Sequence, residues 1–246
     1  MAGADPTMVE PAAADVPVLE LKGVRAAYGR IEVLHGVDLA VPQGAVVALL
    51  GPNGAGKTTT LGVCSGLIEP TAGGLYLAGR RVNGAAPDQL ARAGVCTVPE
   101  GRGVFASLTV RENLQMMTYT GSSLRHIEEV AYARFPRLGE RRTQVAGTLS
   151  GGEQQMLSMA RGLATEPALL LLDELSMGLA PLIVEQLYEI VAQIAKDGVS
   201  ILVVEQFART VLGVADLAGI MLQGQVTRMG PPHELEDELS AAYLGA

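Results

Sequence analysis

The segment GPNGAGKT occupies residues 51–58 and directly follows a short apolar run, AVVALL, at 45–50. It matches the pattern G-x-x-x-x-G-K-[ST] in full, between a predicted buried strand and a helix predicted from about Lys57. Glycines let the backbone curl so that successive N–H groups point inward, and the start of the helix presents its positive end to an anion. A lysine then reaches the β- and γ-phosphates, and a hydroxyl can ligate Mg²⁺. The pattern predicts a phosphate-binding loop made of Gly51, Pro52, Asn53, Gly54, Ala55, Gly56, Lys57 and Thr58, with Thr59 beside it.

A second apolar run, LLLL at 169–172, ends in the two carboxylates Asp173 and Glu174. If this strand lies parallel to the one that enters the phosphate loop, Asp173 is placed to hold Mg²⁺, directly or through water. Glu174 is then placed to polarise an attacking water as general base. Acidic residues often end strands at a protein surface, so this pattern is a weak signal by itself. It indicates a catalytic site only together with the phosphate loop upstream. Together the two segments predict nucleotide hydrolysis.

The third segment is LSGGEQQ at 149–155. Ser150 and Glu153 have the S-x-x-E spacing of a capping box at a helix start, and Gly151 and Gly152 permit close backbone approach there. Such a helix end is a second anion site. An ordinary capped helix without a ligand is the alternative reading of the same residues.

This third segment resembles the signature sequence of ATP-binding cassette (ABC) proteins, and the resemblance covers nearly everything after residue 17. It implies an α/β fold: a P-loop NTPase (RecA-like) core with an antiparallel β subdomain and a helical ABC-specific insert. The expected organisation is a disordered tail at 1–16 and one ABC ATPase domain at 17–246. Within it, 17–99 and 163–246 form the nucleotide-binding core and 100–162 the helical subdomain. The resemblance also implies ATP sandwiched between two subunits, with the signature segment of one facing the γ-phosphate held by the other.

Further site residues come from the same resemblance. Tyr28, upstream of the first strand pair, is implied to stack on adenine, with a core tyrosine as the alternative. Residues 176–179 occupy the place of a loop that reaches across the dimer. Glu100 stands where the family has a glutamine that ligates Mg²⁺ and contacts the membrane subunit, Gln206 replaces the switch histidine, and Leu175 replaces a common proline. Because Glu100 adds negative charge and Gln206 is a neutral hydrogen-bond donor, we expect slower hydrolysis at this chain's own site.

In detail the chain resembles the second ATPase subunit of bacterial branched-chain amino acid uptake systems. The segments that carry this resemblance are VPEGR at 98–102, VF at 104–105, LTVRENL at 108–114, FPRL at 135–138, GEQQML at 152–157, GLAP at 178–181, VEQ at 204–206 and YLG at 243–245. The implied partners are a second ABC ATPase subunit or a second copy of this chain, two membrane permeases contacted through residues 100–107, from Glu100 to Ser107, and indirectly a solute-binding protein. The implied location is cytoplasmic, peripheral on the inner face of the cell membrane. A urea or short-chain amide importer, a non-transport ABC ATPase and a nucleotide sensor are alternatives.

Composition agrees with this reading. The chain has 246 residues, 48% of them hydrophobic but only 4% aromatic, which suits an aliphatic core of parallel strands covered by helices. A formal net charge of -8 argues against a nucleic acid partner, because tracking a phosphate backbone requires excess Lys and Arg. Cys64 and Cys96 fit neither a disulfide framework nor a metal spacing, so free thiols are expected. No secretory signal or bilayer-spanning run is expected.

Overall fold

The computed structural model describes residues 16–101, 103–206 and 208–235. The tail predicted at 1–16 lies outside the described residues except for Val16, as do Arg102 and the segment 243–245. In chain order the elements are β1 (Leu19–Tyr28), β2 (Ile31–Val41), β3 (Val46–Leu50), α1 (Lys57–Cys64), β4 (Ala72–Leu77), β5 (Arg80–Arg81), α2 (Pro87–Arg92), β6 (Val95–Val98), α3 (Val110–Gln115), α4 (Leu124–Arg134), α5 (Pro136–Glu140), α6 (Gly151–Leu163), β7 (Leu169–Asp173), α7 (Pro181–Lys196), β8 (Ser200–Glu205), α8 (Ala208–Leu212), β9 (Leu217–Leu222) and β10 (Gln225–Gly230).

The central sheet has the strand order β10-β9-β3-β8-β7-β6. All neighbours from β9 to β6 pair in parallel, and β10 adds an antiparallel edge. Every residue of β3, β7 and β8 is buried, which explains their nearly continuous apolar sequences. Because parallel strands end at one edge, Leu50 pairs with Glu205 and Asp173 with Val204 there. The chain segments that follow these strands therefore meet at the carboxyl edge of the sheet.

The residues of β7 and β8 alternate between two hydrophobic cores on opposite faces of this sheet. Leu170, Leu172, Ile201 and Val203 join the core that includes the helical insert and α7. On the other face, Leu169, Leu171, Leu202 and Val204 pack with α1 and the second sheet. This alternation is what the two-residue period of a strand requires when both faces are covered.

The second sheet is antiparallel, in the order β2-β1-β4-β5. The predicted P-loop core with an antiparallel β sheet and helical insert is confirmed. One expectation was wrong in position: Tyr28 is the last residue of β1, paired with Ile31 across the turn, rather than upstream of the strand pair. The turn is closed by Gly29, whose φ of 61° lies in the left-handed region that glycine tolerates.

The predicted capping box at Ser150 is confirmed in the helical insert, which contains a second one at Thr109. The Thr109 hydroxyl accepts from the N–H of Glu112 at the start of α3, and the Ser150 hydroxyl does the same for Glu153 at the start of α6. Helix α6 begins at Gly151, directly after its cap Ser150.

Both cysteines are free thiols, as predicted. Burial raises the pKa of the Cys64 thiol to about 12. Among the described residues no helix combines the length and apolar character needed to cross a bilayer.

Candidate active site

The phosphate-binding loop predicted at 51–58 joins β3 to α1. A Cβ placed on Gly51 would lie 2.2 Å from the carbonyl oxygen of Met221 on β9, so any larger residue would push the loop off the sheet. Gly56, with φ of 108°, forms the N-cap of α1 in a conformation that L side chains rarely adopt. The helix then starts at Lys57 with its free N–H groups and positive dipole end facing the loop.

Lys57 is 4% exposed and folds back over this loop. Its Nζ donates to the carbonyl oxygens of Gly51 at 3.0 Å and Pro52 at 3.3 Å, and lies 3.5 Å from Glu174 Oε1. A buried ammonium group surrounded by loop carbonyls and one carboxylate can exchange these partners for phosphate oxygens. The next residue, Thr58, is exposed on the same helix turn, and its hydroxyl hydrogen-bonds the Asp173 carboxylate.

Asp173, 5% exposed, ends β7 next to this loop. Burial raises the pKa of this carboxyl to about 6, helped by Glu174 and Glu100, while Lys57 and a hydrogen bond from Thr58 lower it. Its Oδ1 is buried without a hydrogen-bond partner among the described residues. An orphaned carboxylate oxygen beside the Thr58 hydroxyl matches the hard oxygen donors that Mg²⁺ prefers, although the described residues hold no cluster of three or more acidic, histidine or cysteine side chains that could bind a metal ion by themselves. The residues present therefore fit the metal.

Glu174 follows in the left-handed region, with φ of 44°. Its N–H donates to the carbonyl oxygen of Val204 on β8 at 3.0 Å. The carboxylate borders a cleft of about 440 Å³ that is also lined by Glu100 and by Gly151 at the start of α6. Leu175, in the place of the usual proline, is buried in the core. The structure thus brings Lys57, Thr58, Glu100, Asp173 and Glu174 together.

Hydrogen bonds between the residues at the start of α6 fix the conformation of this helix end. Ser150 donates its N–H at 2.9 Å and its hydroxyl at 2.8 Å to Glu153 Oε2, and Arg141 lies 2.9 Å from Glu153 Oε1. Although burial raises the pKa of Glu153, the Ser150 bonds and Arg141 lower it overall. A Cβ on Gly152 would lie 2.4 Å from Ile183, so this glycine allows α6 to pack against α7. Ser150 itself is exposed, so the start of this helix faces outward.

Tyr28 and Gln206 lie at the ends of strands on the two sheets. Tyr28 is 55% exposed, so its ring is not part of the core. Gln206 follows Glu205, which pairs with Leu50, so Gln206 and Gly51 are the residues that come directly after this last pair of the two strands.

Two residues near the site were missed by sequence reasoning. Glu205 is 1% exposed, and its carboxylate accepts hydrogen bonds from Ser176 and Tyr188. Arg161 on α6 donates to the carbonyl oxygen of Gly103 and lies 4.6 Å from the centre of the Phe105 ring. The sequence signal for Glu205 was an acidic residue at the end of an otherwise apolar strand. The signal for Arg161 was an arginine within a helix that is largely buried.

Comparison with known proteins gives a consistent result. The family profile described as "ABC transporter" matches residues 34–176. The chain is 40% identical over 232 residues to the "High-affinity branched-chain amino acid transport ATP-binding protein BraG" of Pseudomonas aeruginosa, covering 93% of this chain and 100% of that protein. It is 34% identical to the "Probable branched-chain amino acid transport ATP-binding protein LivF" of Archaeoglobus fulgidus, covering 86% of this chain and 91% of that one. The ADP conformation of the ATP-binding cassette MJ1267 superposes with a TM-score of 0.83 at 24% identity, over 94% of this chain and 99% of that structure.

Proposed function

The chain belongs to the ABC transporter family as one of its ATP-hydrolysing subunits, and we propose that it powers an import complex for branched-chain amino acids. The hydrolytic part of the proposal is carried by the cluster of Lys57, Thr58, Asp173 and Glu174 at the carboxyl edge of the central sheet. The substrate is inferred from similarity to BraG and LivF, whose names specify branched-chain amino acid transport.

In the proposed reaction, loop 51–58 surrounds the phosphates of ATP, and Lys57 moves from the carbonyls of Gly51 and Pro52 to the β- and γ-phosphates. Thr58, Asp173 and Glu100 would hold Mg²⁺, which would neutralise charge on these phosphates. Glu174 orients a water molecule and accepts its proton as the water oxygen attacks the γ-phosphorus. The bond to the bridging oxygen then breaks, which leaves ADP and phosphate.

The second half of the site comes from a partner ATPase, which is either another copy of this chain or a sister subunit. The exposed start of α6 at Ser150 provides free helix N–H groups to the γ-phosphate held by the partner. Residues 176–179 accompany it, and Met177 is 55% exposed there. Tyr28 stacks on the adenine ring, since an exposed aromatic ring provides such a platform. ATP binding then favours the closed pair, and hydrolysis reopens it.

Two permease subunits receive this motion through residues 100–107. Phe105 is 45% exposed at this segment, while the buried side chain of Asn113 holds its backbone by accepting its N–H at 2.8 Å and donating to its carbonyl at 3.0 Å. A groove of about 900 Å³ lies nearby, with Leu67 72% and Tyr119 76% exposed along it. Arg161 stacks on Phe105, with its guanidinium carbon 4.6 Å from the ring centre. We assign this groove to a short apolar permease helix, which places the chain at the inner face of the cell membrane.

Uptake by the reconstituted complex tests the proposal. Proteoliposomes that contain the permeases, both ATPases and the binding protein should accumulate radiolabelled leucine when ATP is enclosed. A complex carrying Lys57→Ala should not, because the lysine that binds phosphate is gone. Uptake of urea or a short-chain amide in place of leucine would contradict the substrate. Leucine uptake by the Lys57→Ala complex at the parent rate would contradict the role of the chain.

A further inference from the structure

Glu205 ends β8 completely enclosed by protein, directly before Gln206. Its Oε1 accepts the N–H of Ser176 at 2.9 Å and the hydroxyl of Tyr188 at 2.5 Å, and its Oε2 accepts the hydroxyl of Ser176 at 2.7 Å. Burying a carboxylate is unfavourable unless hydrogen bonds compensate, and hydrogen bonds to a charged acceptor are about twice as strong as neutral ones. This side chain therefore holds its three donors in a fixed arrangement.

The held segment is the turn that carries Glu174. Ser176 lies two residues beyond Glu174, and the N–H of Glu174 is itself bonded to Val204 O, one residue before Glu205. Both ends of this three-residue turn are thus attached to the end of β8. A left-handed conformation in a residue other than glycine is unfavourable and persists only when its surroundings impose it. The φ of 44° at Glu174 is such a conformation, and the two attachments impose it.

The third donor extends the connection to α7. Tyr188 is 1% exposed, and burial, followed by the charge of Glu205 and the hydrogen bond to it, raises its pKa well above the usual value, so it remains a neutral donor. Helix α7 begins directly after the segment 176–179. One carboxylate therefore connects the switch position at the end of β8, the turn with the general base, and the helix behind the segment that faces the partner ATPase.

We propose that Glu205 is a positioning residue for ATP hydrolysis, whose carboxylate clamps Ser176 and thereby keeps Glu174 aimed at the attacking water. This inference rests on the proposed role of Glu174 as general base. Glu205 is not itself a catalytic residue, because its oxygens are occupied by protein donors. Misplacing a reacting group by about 1 Å can slow a reaction about 100-fold, so loss of the clamp should reduce the rate of hydrolysis rather than the binding of ATP.

The test compares four variants in the assembled ATPase, with phosphate release giving kcat and the isolated chain giving the Kd for ATP. Glu205→Ala removes the clamp. Glu205→Gln retains an oxygen for Ser176 N–H and Tyr188, and its amide can donate to the Ser176 hydroxyl. Ser200→Ala is the matched control, because Ser200 is also buried and accepts the N–H of Gly44 at 2.9 Å, but at the opposite end of β8. Glu174→Gln reports on the base itself.

We expect Glu205→Ala to lower kcat at least about tenfold while the Kd for ATP stays within about twofold, and Glu205→Gln to recover most of the loss. Ser200→Ala should keep the parent kcat. Parent kcat in Glu205→Ala, an equally slow Glu205→Gln, or an equal loss of ATP affinity would overturn the inference. If Glu174→Gln stops hydrolysis while Glu205→Ala keeps the parent kcat, only this inference fails. If Glu174→Gln hydrolyses ATP at the parent rate, the assignment of Glu174 as the general base fails as well.

Should Glu205→Ala not fold, Ser176→Ala provides the same test. It removes the 2.7 Å hydroxyl bond and leaves the 2.9 Å N–H bond in place. We expect kcat to fall about threefold with unchanged ATP affinity, because a single neutral-to-charged hydrogen bond is lost. Parent kcat in this variant would overturn the inference.

Discussion

The Nζ of Lys57 lies 3.5 Å from Oε1 of Glu174, with both side chains largely buried. The cation of the phosphate-binding loop and the proposed general base are therefore electrostatically coupled. A phosphate anion that enters the loop competes with Glu174 for the lysine, and in doing so releases the carboxylate for the attacking water. This pairing connects the binding of ATP to the readiness of the base.

Glu174→Gln tests the coupling. Without the carboxylate, Lys57 loses a competing partner and the site loses one negative charge, so ATP should bind several-fold more tightly. Hydrolysis should fall at least about 100-fold, because the amide cannot accept a proton. Isothermal titration for the Kd and phosphate release for kcat measure the two effects. If the variant binds ATP more weakly and hydrolyses it at the parent rate, then Glu174 neither competes with phosphate for Lys57 nor acts as the general base.

Glu100→Gln tests the departure from the family pattern at the metal. Glu100 adds negative charge near Asp173 and is one of the groups that raise its pKa. Replacing it by the neutral amide keeps an oxygen ligand and removes repulsion toward the phosphates and Glu174. We therefore expect hydrolysis at this chain's own site to rise several-fold in a single-turnover assay of the assembled pair. An unchanged or lower rate would mean that Glu100 does not slow the site.

Phe105→Ser tests the path to the membrane. It removes an exposed ring and its contact with Arg161, 4.6 Å from the ring centre. ATP binding by the isolated chain should be unchanged, whereas uptake by the reconstituted complex should fall at least about tenfold. Phe105→Tyr is the matched control, because it retains the ring over Arg161 and should transport at close to the parent rate. Full uptake by the serine variant would exclude Phe105 from the permease contact.

The burial of Glu205 predicts a pH dependence of stability. Burial raises its pKa above the unfolded value of 4.5, against the opposing effect of its hydrogen bonds with Tyr188 and Ser176, so the folded chain binds this proton more tightly than the unfolded chain does. The stabilisation is complete below the unfolded pKa and is lost as the pH rises through the folded pKa. Glu205→Gln has no such titration. The Tm of Glu205→Gln minus the Tm of the parent should therefore increase as the pH rises above about 4.5 and become constant above the folded pKa. Thermal melts of both proteins at a series of pH values measure this difference. A constant Tm difference would contradict the prediction.

The sequence predicted the phosphate loop, the acidic strand end and the capping box at Ser150 because each is a local pattern whose chemistry dictates its spacing. The apolar strands were predictable for a similar reason, since β3, β7 and β8 are buried on both faces and read as continuous apolar runs. Their order in the sheet came only from the resemblance to a family. The exact place of Tyr28 was mistaken because the turn at Gly29 gives no signal that separates a strand's last residue from the residue before a strand.

Two sets of contacts could not be predicted from sequence: the hydrogen bonds that Glu205 accepts and the stacking of Arg161 on Phe105. Glu205 binds Ser176 and Tyr188, which are 29 and 17 residues away, and an acid at the end of a strand gives no indication of its partners. Arg161 and Phe105 likewise lie far apart in the sequence, and nothing near either residue indicates the other. Such contacts between distant segments depend on tertiary packing, and no local pattern encodes them.

The most direct test of the two-subunit site is a substitution at the start of α6. Ser150→Arg places a bulky cation where the helix N–H groups would meet the partner's γ-phosphate, while leaving the phosphate loop of this chain unchanged. In the assembled ATPase we predict that phosphate release falls at least about tenfold, with the isolated variant binding ATP as tightly as the parent. Phosphate release at the parent rate by the Ser150→Arg assembly would contradict the shared site.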